Sequence, residues 1–187
     1  MIYSLPKSCT INGIEYDIRS DYRAILDICI ALSDVNLNDG ERGLIALQIF
    51  YPDWESIPFE DYEEAIKQVM WFISCGEEEP ENTQKKKEPR LVDWEKDFCR
   101  ICPPINKIVG YDIRDVEYMH WWTFTGLYSE IDSECTFSHI VSIRAKKAKG
   151  KKLSKEEDAW YRANRDIIDI KNNYSAKESE AMNGWLV

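Results

Sequence analysis

A mainly α protein, a helical bundle with a short N-terminal β-hairpin, is the fold class predicted by three observations. An Asn12-Gly13 pair between two short apolar runs marks a tight turn near the front. Beyond it, apolar side chains recur at helical spacing in several segments, and helix-capping residues, prolines and glycines punctuate those segments. The 187 residues are 44% apolar and 12% aromatic, with seven tryptophans, which is enough for a core of its own. One domain over 1–187 is expected: a hairpin plus helices in 1–76, a flexible linker at 77–90, and a helical part from 91 to 187.

The hairpin pairs Ser8 to Ile11 with Ile14 to Ile18. Ser20 or Asp21 caps a first helix to about Ser33, with Ile25, Ile28, Cys29 and Leu32 on one stripe. A second helix spans Asp39 to Tyr51 and stops at Pro52. Pro58 opens a third, in which Tyr62, Ala65, Ile66, Val69, Phe72 and Ile73 form the apolar face and Gly76 supplies a left-handed stop. The next stretch, EEEPENTQKKKEPR, has no aliphatic or aromatic side chain to bury.

Leu91 to Val109 reads as helical, with Pro103-Pro104 ending or kinking it. After Gly110, Asp112 can cap an aromatic helix running through EYMHWWTFTGLYSEI. There Val116, Met119, Thr123 and Leu127 form one stripe and Trp121, Phe124 and Tyr128 another, which places the helix centrally, with one tryptophan available to a partner. Thr136 caps a helix to about Lys147, and the capping boxes Ser154 to Glu157 and Ser175 to Glu178 open the last two.

The motifs that could carry chemistry are incomplete. Cys99-Arg-Ile-Cys102 lies within a helical segment instead of at a helix N-terminus, and the other four cysteines are scattered, so neither a redox pair nor a zinc site follows. The chain front lacks the pattern of a signal peptide, and reduced thiols in a cytoplasm are expected. Ala145 to Lys152 fails as a phosphate-binding loop: Ala stands at the first glycine position and Lys152 where Ser or Thr would bind magnesium. For His120 and His139 no motif orients either ring toward a nucleophile. No catalytic residue, metal site or cofactor is expected, and no apolar run is long enough for a membrane helix.

The net charge of −10 is unevenly divided. Residues 140–187 hold 11 Lys/Arg against 7 Asp/Glu, whereas 1–139 hold 13 against 27. The run Arg144, Lys146, Lys147, Lys149, Lys151 and Lys152 suits a solvated loop, an acidic protein surface or, with less to support it, nucleic acid. With Trp160, Tyr161, Arg162 and Arg165 following, the combination of apolar anchors and charge marks a candidate partner surface.

The segments LVDWEKDF (Leu91 to Phe98), GYDIRDVEYMHWWTF (Gly110 to Phe124), and IVSIRAKKAKGKKL with the downstream WYRANRDIIDIK resemble the bacteriophage gene-product-fifteen (Gp15) family. Members are usually encoded just before the tape-measure protein. The resemblance therefore implies a non-enzymatic tail-assembly protein of the host bacterial cytoplasm, a chaperone or adaptor for the tape-measure protein or other tail proteins. It also leaves room for a minor structural tail component located in the virion, or a nucleic-acid-binding phage regulator. The family brings no catalytic residues.

Overall fold

A computed structural model describes residues 4–77 and 89–170. The chain there is mainly α, with one two-stranded antiparallel sheet, and the predicted fold class holds. Strands β1 (Ser8–Ile11) and β2 (Ile14–Asp17) meet at a turn in which Asn12 and Gly13 adopt φ of 46° and 86°, the left-handed pair a two-residue hairpin requires. Cys9 and Ile11 point into the core, while Ile14 is 53% exposed.

Helix α1 (Tyr22–Leu32) is capped by Asp21, whose side chain accepts from the Arg23 amide. Helix α2 (Asp39–Phe50) opens on a reciprocal box between Asn38 and Glu41. Pro58 does not begin the third helix directly. It precedes a 3₁₀ turn, Phe59–Asp61, that leads into α3 (Tyr62–Ile73). The stop after α3 uses two left-handed residues: Cys75 (φ 59°) and Gly76 (φ 83°). The Gly76 amide donates to Trp71 O and the Cys75 amide to Phe72 O, so Cys75 holds the first left-handed position that had been expected of Gly76.

Helix α4 (Trp94–Val109) runs through Pro103-Pro104 instead of ending there. Pro103 is exposed and lies one turn after exposed Cys99, on the side where water can serve carbonyls that lose their amide partners. Gly110, with φ of 81°, ends the helix.

The aromatic helix is shorter than its sequence suggests: α5 spans Trp121–Ser129, and its cap is His120, not Asp112. The residues before it are spoken for by α1. Tyr22 N donates to Met119 O and Trp121 N to Ser20 O, forming an antiparallel bridge between Asp21 and His120, while Asp21 also accepts from Met119 N. Backbone groups engaged in this way are lost to a helical ladder. Asp112 instead folds onto the Arg114 amide, and Arg114 holds its carboxyl well below the usual range.

Helices α6 (Thr136–Ala148), α7 (Lys155–Ala163) and α8 (Arg165–Ile168) complete the described chain. Cys135, one residue before the expected Thr136, caps α6, and the Ser154–Glu157 box opens α7 as predicted. The second box, Ser175 to Glu178, and most of the 77–90 stretch lie outside the described residues.

The main core draws on both sides of the 78–88 stretch. Tyr22 of α1 stacks on Phe124 of α5, with centroids 4.8 Å apart and planes at 8°, and Trp121 stacks on the same ring. Such pairs add about 0.5–1.5 kcal/mol beyond the area they bury. Both indoles of α5 also serve α3: Trp121 Nε1 donates to Ile73 O and Trp122 Nε1 to Phe72 O. These are carbonyls in the last turn of α3, where the regular helical ladder runs out of amide donors. Both indole N–H groups are therefore used inside the fold. A smaller cluster gathers Ile140, Ile143 and Ile168, with Leu153, Trp160 and Tyr161 against it.

Candidate partner-binding surface

The ten residues singled out by charge and aromaticity separate into three groups. Arg144 is not on the surface: its side chain is 5% exposed and pairs with Asp97, which is fully buried. A helical run of basic residues has an inner face as well as an outer one, and Arg144 falls on the inner face, beside Ile140 and Ile143. Its guanidinium uses all five N–H donors. Nε bonds Ile168 O at 2.6 Å, one terminal nitrogen serves Leu91 O and Asp97, and the other serves Asp97 and Ile167 O. One side chain thus joins the start of α4, the middle of α6 and the end of α8.

A second group is committed at the surface. Lys146 pairs with Glu157, and Lys147 lies 2.7 Å from Asp169 and over the Tyr161 ring. Tyr161 and Arg165 also donate to Asp169. Burial pushes the Asp169 carboxyl up, but hydrogen bonds from Lys147, Arg165 and Tyr161 outweigh it and hold the group below its ordinary value. Trp160 packs edge-on to His139 at 4.4 Å. Arg162, largely exposed, pairs with Asp158 one turn away.

The third group, Lys149, Lys151 and Lys152, is exposed around Gly150, where φ is 64°. The basic surface is therefore three lysines on a turn, with the anchors expected beside them drawn into the satellite cluster.

Of the groups that suggested chemistry, His120 and Cys102 are packed into the interior. His120 is buried, its Nδ1 accepting from Trp122 N while Nε2 faces Pro6 O at 2.9 Å. An accepting Nδ1 leaves Nε2 as the protonated nitrogen, so the ring is neutral. Burial pushes its pKa below the usual imidazole value, against the Pro6 carbonyl, which raises it. Cys102 is buried and its thiol is pushed up to about 11 by burial, as are those of Cys9 and Cys29. Cys99, by contrast, is exposed, lining an open cleft with Pro103, Pro104 and Ile108 of α4. Among the described residues no group of three or more potential ligands is placed to hold a metal, and no helix is long and apolar enough to cross a membrane.

A different surface went unnoticed in the sequence. Phe59 is 84% exposed and Met70 49%, and they lie along the outer side of the third helical segment. The available signal was Met70 itself, which falls off the stripe of Ala65, Val69 and Phe72 that α3 buries.

These features define a class: a mainly α protein with an N-terminal hairpin, an aromatic core braced by tryptophan hydrogen bonds, and an internal arginine clamp. Residues 1–170 match the family described as Bacteriophage Gp15 protein, and the chain belongs to that family, which makes it a phage-associated protein. No curated protein and no solved structure matches it.

Proposed function

We propose that this chain is a non-enzymatic assembly protein of the phage tail, a chaperone or adaptor whose client is the tape-measure protein. Membership of the Gp15 family supports the phage setting. The observation that carries the non-enzymatic reading is that the side chains with most chemical potential are occupied in holding the fold. Arg144 spends all five donors on internal acceptors, and both nitrogens of His120 are engaged. What remains for function is surface.

A long helical client with apolar stretches aggregates unless those stretches are covered, and a strongly acidic partner keeps the complex dispersed through its net charge. Lys149, Lys151 and Lys152 add a positive turn that can steer acidic parts of the client. Co-expression with the tape-measure protein tests the reading. The client is expected to move into the soluble fraction and to co-purify; no gain in solubility together with no co-purification sinks it. Recovery of the chain from purified tails would favour a structural tail component instead. Reversing Lys149, Lys151 and Lys152 to Glu is expected to slow capture and leave helicity unchanged.

A further inference from the structure

We infer that the exposed edge of α3, together with the turn before it, is the seat for a basic, amphipathic helix of a protein partner. The inference deepens the tail-assembly reading and rests on it for the partner's identity. Tyr62, Ile66 and Met70 follow one another at spacings of four along one edge of α3, the first two half-buried against the core and Met70 exposed, and Phe59 stands in the 3₁₀ turn just before them. The Phe59 and Tyr62 rings lie 5.4 Å apart, with Phe59 almost wholly in water. On α2, Gly43 approaches Ile66 so closely that an added Cβ would come within 2.9 Å of its Cδ1. The next residue, Leu44, is 40% exposed.

The hairpin tip is fastened to the same end. Asn12 Nδ2 donates to Asp61 Oδ1 at 2.6 Å, and Ile14 stands exposed two residues after Asn12. Exposed large apolar side chains thus stand on the hairpin, on α2 and on α3 with the turn before it, and the Asn12–Asp61 hydrogen bond ties the first of these elements to the last. From Phe59 to Met70 the stripe covers eleven residue steps, roughly 16 Å at about 1.5 Å per residue, or three turns of a partner helix.

Charge selects the occupant. Residues 53–73 contain Asp53, Glu55, Glu60, Asp61, Glu63 and Glu64 against a single base, Lys67, which is held by Glu63 at 3.0 Å. Glu15 and Asp17 on β2 extend the negative rim. An acidic frame around an apolar stripe complements a helix with Leu- or Phe-like residues on one side and Lys or Arg flanking them. A second copy of this chain is a poor occupant. Among the described residues its own exposed lysines, Lys149, Lys151 and Lys152, have no exposed large apolar side chain beside them to enter the stripe.

The test compares the full chain with a Phe59→Ser/Met70→Ser variant, both sites being exposed enough that the fold should survive. Circular dichroism checks that it does; should the pair unfold, Phe59→Ser alone replaces it. Each protein is co-expressed with the tape-measure protein, and each is titrated with an 18-residue Leu/Lys amphipathic helix and its Leu/Glu counterpart. The wild type is expected to bind the Leu/Lys helix at least tenfold more tightly than the variant does, to ignore the Leu/Glu helix, and to lose the client on substitution. Equal client capture by both proteins overturns this surface and leaves the tail-assembly reading standing. If neither captures the client, that reading falls, and the peptides alone decide the surface. Leu/Lys affinity unaffected by substitution, or wild-type self-association lost in the variant, refutes the inference.

Discussion

Replacing Arg144 by Leu removes the fork that joins α4, α6 and α8 while keeping a side chain able to pack beside Ile140 and Ile143. The substitution leaves Asp97 buried, with the Asp93 amide at 2.9 Å as its remaining hydrogen bond, and it strips a donor from the carbonyls of Leu91, Ile167 and Ile168. Removing one partner of a buried pair costs about 3–5 kcal/mol, mostly because the surviving charge has been taken out of water and not repaid. For a chain of this size each kcal/mol lowers the thermal midpoint by about 2–4 °C, so a fall of roughly 6–20 °C is expected. Urea unfolding followed by far-UV circular dichroism measures the loss directly. Arg144→Lys should fall between, because an ammonium keeps the charge without the planar fork. Adding Asp97→Leu to Arg144→Leu should recover at least about 1 kcal/mol, since the orphaned carboxylate is gone. A loss under about 1 kcal/mol for Arg144→Leu, or no recovery in the double variant, would refute the clamp as a source of stability.

His120 and Cys99 give two further tests. With a folded-state pKa below the unfolded value of 6.5, His120 is neutral when folded, so the unfolded chain takes up its proton first as pH falls. Its contribution is complete above about pH 6.5 and declines below it; His120→Asn, which keeps a capping acceptor, should flatten stability between about pH 6.5 and 5 in the same urea assay. Under native conditions iodoacetamide should label exposed Cys99 ahead of Cys9, Cys29 and Cys102, whose thiols burial holds up at about 11. Mass spectrometry reads the order, and early labelling of Cys102 would contradict the packing of α4.

The parts of this fold that were legible in the sequence are those with local causes. Asn12-Gly13 can make its turn without help, and Ser154 with Glu157 closes a box within four residues. The start of α5 was not local: the stretch before Trp121 has helical periodicity, yet its backbone is bonded to Ser20 and Tyr22, about a hundred positions away. Arg144 was misplaced for a related reason, since composition reports a run of positive charge without saying which member faces inward. Phe59 escaped notice because an aromatic residue is assigned to the interior by default, and only the packed structure shows which one the core has no room for.

The bridge between Asp21 and His120 also sets the order in which the chain can be finished during synthesis. Asp21 can form its own turn as soon as it is made, but its partner amide at Met119 lies 98 positions further on. At about 5–20 residues per second, α1 waits roughly 5–20 s on the ribosome before α5 arrives to cover Tyr22. During that interval the hairpin and first three helices present an incomplete aromatic interior to solvent, and truncation before residue 120 leaves a fragment whose exposed rings invite aggregation.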